Sequence, residues 1–325
     1  MWNTIGHEWA VAMLARAAAT QPSHAYLFVG QSQIGKLTLA MDFARALNCT
    51  GLEKPCDVCR ACKKIADGQH PDVRLVRRLP DKSEILVEQL RELQNELALK
   101  PYEGRWRIAV IENVHEANAN AANAFLKTLE EPNPQVVILL TAHNPEAVLA
   151  TIRSRCQIIP LRPLPIAQVE QALRARNAVT AERAQLLARL SGGRIGWALE
   201  SSDDEELLAQ RDARLQELLA ALSQGRAARI ELAGRLTRSD DDVMPTLDLW
   251  LSWWRDLLLV KGQCADAIVN VNFRDRLARD AERLSLPTIQ QYVTAIHATR
   301  QQVDQNVNAR LAVEVMLLTA PTLVA

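Results

Sequence analysis

The sequence predicts an α/β domain built on a mostly parallel sheet, followed by a small helical region and then an all-α segment. Three observations carry this. Short apolar runs alternate with helical patterns from residue 25 to residue 161, as expected for a sheet covered by helices on both faces. Pro160, Pro163 and Pro165 then fall within six positions. Beyond them, strand-like runs largely vanish while helical spacing continues.

Taken in order, Tyr26–Val29 reads as a buried strand, followed by a loop and a helix with Leu39, Phe43, Ala46 and Leu47 at near-helical spacing. Asp72–Val76 alternates polar and apolar residues, as a strand with one exposed face would. Leu86, Leu90, Leu93 and Leu97 then share one helical face. Ile108–Ile111 and Val136–Thr141 are two further strands, with an Ala-rich helix over Asn120–Glu130 between them, and Gln157–Leu161 is the last. Proline lacks a backbone donor and fixes its own φ, so the segment around Pro163 reads as a linker. After it, Gln168–Arg176 and Ala181–Leu190 look like short helices, broken from a third by Ser191-Gly192-Gly193. The acidic stretch Ser201–Glu206 leads into long helical patterns reaching Ala325. These breaks divide the chain into residues 1–165, a helical region over 166–205, and an all-α domain over 206–325. Within the last, Leu249–Val260 carries Trp250, Trp253 and Trp254 and is apolar around much of its circumference, so it is either core or subunit contact.

Composition removes several function classes. Among the 325 residues, 48% are apolar and 23% charged, which excludes a disordered chain. Lys and Arg number 38 against 38 Asp and Glu, so there is no globally basic surface for bulk electrostatic binding of nucleic acid. The longest apolar runs, such as Val136–Ala142, fall far short of the about 18–20 residues a membrane helix needs. Met1–Arg16 contains His7 and Glu8 and shows no secretory leader. A cytoplasmic location is therefore expected, where clustered thiols favour metal over disulfides.

Four local patterns carry chemistry. Cys49, Cys56, Cys59 and Cys62 are spaced C-x6-C-x2-C-x2-C among charged neighbours. Four thiolates suit a tetrahedral, structural zinc site with no open position. An iron–sulfur cluster is the chemical rival, although Lys63-Lys64 stand where a ferredoxin-type run would continue towards Cys-Pro. Cys156 and Cys264 are isolated and read as structural. The second pattern, Gly30-Gln-Ser-Gln-Ile-Gly35-Lys36-Leu37-Thr38, follows a strand and opens a helix, where a phosphate-binding loop belongs. That motif places Ser or Thr directly after the lysine to hold Mg²⁺. Here Leu37 occupies the position, and Thr38 is one residue late, about 100° round the helix. The loop leaves nucleotide binding open but argues against Mg-dependent turnover. Third, Glu112-Asn113 ends the Ile108–Ile111 strand, where a nucleotide hydrolase would place an Asp and then a Glu to polarise water. Asn113 cannot accept a proton. Fourth, Ser154-Arg155-Cys156 lies between a helix containing Ala147–Ile152 and the last strand.

In this order the patterns resemble the AAA+ subunits of the bacterial replicative clamp loader, part of the DNA polymerase III holoenzyme. The string from Asn123 through Lys127, Glu130 and Glu131 to Pro132 resembles that family's Leu-Leu-Lys-x-Leu-Glu-Glu-Pro signature, and Ser154-Arg155-Cys156 its Ser-Arg-Cys motif. The cysteine quartet resembles its zinc module, with a shorter first gap, and Gln305–Leu311 its collar helix. The chain is similar to the branch of the family whose nucleotide site is degenerate. Gly196 falls where motor subunits carry a sensing arginine, with Arg194 two residues away.

The resemblance implies an AAA+ P-loop-like domain over 1–165 with an inserted zinc module at 49–62, a lid over 166–205 and a collar over 206–325. It further implies a non-hydrolysing member of a hetero-pentameric ring with gamma/tau motor subunits and a delta subunit. That ring would open a sliding clamp and place it on primed DNA. Arg155 would act in trans as an arginine finger on a neighbour's ATP. The degenerate nucleotide site would comprise Gly30, Gly35, Lys36, Thr38, Glu112 and Asn113, and the zinc ligands would be Cys49, Cys56, Cys59 and Cys62. Two other readings stand beside this one: an active gamma/tau-type ATPase with unusual ligands, and a zinc-dependent DNA-binding protein outside replication.

Overall fold

Five parallel strands form one sheet in the order β2-β3-β4-β1-β5. They are β1 (Ala25–Val29), β2 (Val73–Val76), β3 (Arg107–Ile111), β4 (Val136–Ala142) and β5 (Gln157–Pro160). This computed structural model describes residues 1–80, 82, 84–176, 179–238, 240–305 and 307–323. Asn306, inside the Gln305–Leu311 string, and Ala325 lie outside them.

The strand sequences explain the layering. Successive side chains on a strand point to opposite faces, and β1 and β4 are buried on both. Tyr26 and Phe28 of β1 join Ile108, Val110, Val137, Leu139 and Ile159 on one face. There they meet Leu14 and Ala18 of α1 (Glu8–Ala19) and Leu39, Phe43 and Leu47 of α2 (Lys36–Asn48). Leu27 and Val29 join Ala109, Ile111, Ile138 and Leu140 on the other. That face is covered by Leu90, Leu93 and Leu97 of α4 (Val87–Leu97) and Phe125 and Leu129 of α5 (Ala119–Glu130). A short α3 (Arg60–Ala66) and the four-residue α6 (Ala150–Arg153) complete this part.

Local chemistry sets several helix starts. The Asn118 side chain accepts the Ala121 amide at 2.9 Å and caps α5, while Gln89 Oε1 accepts the Leu86 amide at 3.0 Å ahead of α4. Such caps are worth roughly 1 kcal/mol each.

The helices that follow are α7 (Ile166–Ala175), α8 (Ala181–Ser191), α9 (Ile195–Asp203), α10 (Glu205–Ser223), α11 (Arg226–Leu236), α12 (Asp240–Lys261), α13 (Arg274–Arg283), α14 (Leu286–Asp304) and α15 (Ala309–Thr319). The chain divides into two compact units: Met1–Gln168 with Arg194–Gly196, and Val169–Gly193 with Trp197–Ala325. The second unit has its own core, in which Trp250, Trp253 and Trp254 of α12 are fully buried. Trp254 meets Tyr292 of α14 edge-on with ring centroids 4.4 Å apart. The tryptophan helix is thus core, and it begins at Asp240 rather than at Leu249. No helix among the described residues is long and apolar enough to cross a membrane.

Candidate functional site

The carboxyl ends of parallel strands gather the loops of such a sheet along one edge, next to the helix N-termini that follow them. The loop after β1 is the phosphate-loop candidate. Gly30 holds φ at 151°, and a Cβ there would come 2.4 Å from Ile34 Cδ1 and 2.5 Å from the Leu161 carbonyl, so glycine is required. Gly35 caps α2, and Lys36 is its first residue.

Lys36 does not point into open space. It is 8% exposed, and its ammonium donates to the carbonyls of Gly30 and Gln31, both at 2.7 Å. Burial pulls its pKa down to about 8, only partly opposed by the negative charge of Glu112. The cation that a phosphate loop aims at an anion is here bonded to the loop's own backbone. Leu37, the second residue of α2, is partly buried against the sheet core, and Thr38 is exposed.

Just past the end of β3, Asn113 stands where a hydrolase would place Glu, and its side-chain amide cannot act as a base. Asn113 takes a left-handed φ of 52°; its amide donates to Thr141 Oγ1 at 2.9 Å, and its side chain donates to Glu116 Oε1 at 3.0 Å. Glu112 is half-buried. Burial raises the Glu116 pKa against the opposing charge of Arg78. His143, just beyond β4, lies with its Nδ1 2.7 Å from His115 Nε2. Neither histidine carried a sequence signal.

Gly196 lies over the same loop. Its amide donates to the Gln33 carbonyl at 2.7 Å. A Cβ there would meet that oxygen at 2.7 Å and the Gln33 Cα and C atoms at 3.2 Å.

The four cysteines come together. Their Sγ atoms all lie within 4.8 Å of one another, close to the about 3.8 Å spacing of a tetrahedron with metal–sulfur bonds of about 2.3 Å. Cys49 and Cys62 are buried and Cys56 and Cys59 half-buried. Amides of Gly51, Cys59 and Cys62 donate to the sulfurs of Cys49, Cys56 and Cys59 at 3.3–3.4 Å. Burial pushes Cys62 up to about 12; for Cys59 burial also pushes upward, but amide bonds from Cys62 and Thr50 prevail and bring it to about 6. A divalent cation is the charge that lets four such thiols ionise together. The cluster is tied to α2 by Arg45, which pairs with both Asp42 and Asp57. Asp42 in turn accepts the amide and hydroxyl of Thr4 at 2.7 Å. This link between α2 and the thiol loop was not legible in the sequence.

Arg155 follows α6. Its Nη1 donates to the Thr151 carbonyl at 2.7 Å and its Nη2 to Glu130 Oε1 at 2.7 Å. Its side chain is one-third exposed. Cys156 is packed beside the α4–α5 core, where burial raises its pKa to about 12. Cys264, expected to be structural, is exposed after α12 and so does not pack the core.

Comparison with known proteins adds lineage to this geometry. Residues 6–165 match the family described as DNA polymerase III, delta subunit, and residues 205–321 match the family described as its C-terminal part. DNA polymerase III subunit delta' of Bacillus subtilis is 30% identical over 91% of this chain and 90% of its own length. The delta' subunit of Pseudomonas aeruginosa is 38% identical over 53% of this chain and 54% of its own. The tau subunit of Escherichia coli is 34% identical over 62% of this chain but only 32% of its own length. Among solved structures, a gamma subunit-related protein of Thermotoga maritima superposes with a TM-score of 0.51 at 16% identity, covering 95% of this chain and 97% of its own. That likeness is one of fold.

Proposed function

Since this chain belongs to the DNA polymerase III delta-subunit family, we propose that it serves as a delta'-type subunit of the replicative clamp loader. In this role it does not split ATP; it lends Arg155 to the ATP site of an adjoining motor subunit. The observation that carries this reading is the internal use of Lys36, whose ammonium is spent on Gly30 and Gln31 rather than left for a phosphate.

The neighbouring chemistry agrees with it. Leu37 offers no oxygen for Mg²⁺, and Asn113 is turned onto Glu116 and cannot take a proton from water. Gly196 contributes no sensing cation. In this reading Gly30, Gly35, Lys36, Thr38, Glu112 and Asn113 are the remnant of a nucleotide site. Arg155, by contrast, presents a planar and permanently charged group at the surface, well suited to phosphate oxygens. A finger of this kind is typically worth about 10³–10⁵ in rate at the site it enters.

Zinc is the metal we assign to Cys49, Cys56, Cys59 and Cys62. An all-sulfur donor set with four ligands gives a closed structural site, and when bound the ion fixes the loop that Asp57 and Arg45 join to α2. The partners in this reading are gamma/tau motors and a delta subunit in a hetero-pentameric ring, with the sliding clamp and primed DNA reached through that assembly. Helices over 166–205 would form a lid and the all-α region over 206–325 a collar.

The test is a mixing experiment. Purified alone, the chain should show no Mg-dependent ATP hydrolysis. Added to a clamp-loader motor and delta, it should join them and raise their clamp- and DNA-stimulated turnover. Steady hydrolysis by the isolated chain, abolished by Lys36→Ala, would instead establish the gamma/tau-type reading.

A further inference from the structure

Arg155 is held by two separate elements. Its Nη1 donates to the Thr151 carbonyl in α6 at 2.7 Å and to Ser154 Oγ at 3.3 Å, while Nη2 donates to Glu130 Oε1 at 2.7 Å. Glu130 is the last residue of α5 and lies 25 positions away in sequence. The Glu130 side chain is 48% exposed and the Arg155 side chain 33%, so both can be reached from outside.

We propose that Glu130 is a positioning residue for Arg155: it fixes the plane of the guanidinium before a neighbour's ATP arrives. The proposal rests on the reading of Arg155 as a cation acting in trans. An unrestrained arginine samples many rotamers, and the bonds to Thr151 and Ser154 restrain only one nitrogen of the fork. The Glu130 bond restrains the other. Thr151 and Ser154 offer neutral acceptors to the fork, whereas Glu130 offers a charged one. An ion pair this exposed contributes only about 0.2–1 kcal/mol. It is therefore strong enough to bias the rotamer and weak enough for a multiply charged phosphate to take over the same N–H groups.

The test uses the complete reconstituted loader with Glu130→Ala and Glu130→Gln, each made with Arg155 and with Arg155→Ala. Assembly is checked by size-exclusion chromatography. Glu130→Ala is expected to lower kcat about 1.4- to fivefold, the range of one exposed ion pair, without changing KM for ATP. Glu130→Gln, which keeps an acceptor oxygen, should recover part of that loss. Added salt should narrow the gap between wild type and Glu130→Ala. In the Arg155→Ala background, Glu130→Ala should have no effect. Full kcat in Glu130→Ala, with Arg155→Ala impaired, would overturn the positioning role and leave the finger standing. An equal loss in both backgrounds would also overturn it, because Glu130 would then act through something else. If Arg155→Ala itself has wild-type turnover, the reading beneath falls and this proposal with it.

Discussion

The amide of Gly196 donates to the carbonyl of Gln33 at 2.7 Å, so a backbone hydrogen bond joins the start of α9 to the middle of the phosphate-loop candidate. The contact leaves no room for a side chain. A Cβ at residue 196 would stand 2.7 Å from that carbonyl oxygen, and backbone cannot swing aside as the end of a flexible side chain can. In the function proposed above, the position that would carry a motor subunit's sensing cation instead closes the loop.

Returning an arginine to that position should therefore not restore hydrolysis. Gly196→Arg is expected to destabilise the chain by about 1–3 kcal/mol, the usual cost of forcing atoms into occupied space. A thermal melt should show the loss, and the variant should remain without Mg-dependent ATPase activity.

Lys36 makes stability depend on pH in a defined window. Its folded pKa of about 8 lies below its ordinary value of 10.5. Between those values the unfolded chain binds more protons than the folded one, so stability rises with pH across the interval. Below about pH 8 the ammonium is charged in both states and the burial cost is fully present. Lys36→Met should abolish the rise, and the difference in unfolding free energy between the two proteins should change by roughly 2–3 kcal/mol from pH 8 to 10.5. Denaturant titrations across that range measure it.

The thiol cluster should bind one zinc ion per chain and stabilise the loop around it. Metal removal by a strong chelator, or Cys62→Ser, is expected to raise amide hydrogen exchange over residues 49–66 and at the start of the chain. Arg45 and Asp42 connect those regions to the cluster. The second unit has a separate core and should keep its exchange protection. Elemental analysis gives the metal and its stoichiometry.

Trp254 is fully buried against Tyr292 in the second unit. Trp254→Ala should cost about 3–5 kcal/mol, lowering the unfolding midpoint of that unit. If the helix were instead a subunit contact, the isolated chain would keep its stability and only assembly would suffer.

Much of the sheet was readable because β-branched and leucine runs such as Val136–Leu140 have few alternatives to a buried strand. The helix α4 was readable from Leu90, Leu93 and Leu97. The helix α1 had no comparable signal: it is Ala-rich and begins after His7 with no side-chain cap. The seven-residue α3 is too short and too charged to show a period. For the site, spacing identified the four cysteines, which the fold brings together; the departures at Leu37 and Asn113 are the sequence's ground for proposing a degenerate nucleotide pocket. Spacing could not show where Lys36 turns, because a phosphate-loop lysine is expected to face outward and only the fold shows it bonded to Gly30. Likewise Glu130 was visible within its acidic string, but its bond to Arg155 joins residues 25 apart and depends on how α5 and α6 meet.

In the proposed role, the chain exports a cation to a neighbour while its own pocket stays idle. Single-turnover ATP hydrolysis by a reconstituted loader, in which only this chain carries Arg155→Ala, measures that directly. A fall of about 10³-fold or more at the adjoining motor site, with ATP still bound there, is the predicted result, given the usual worth of an arginine finger. An unchanged rate at that site would contradict it.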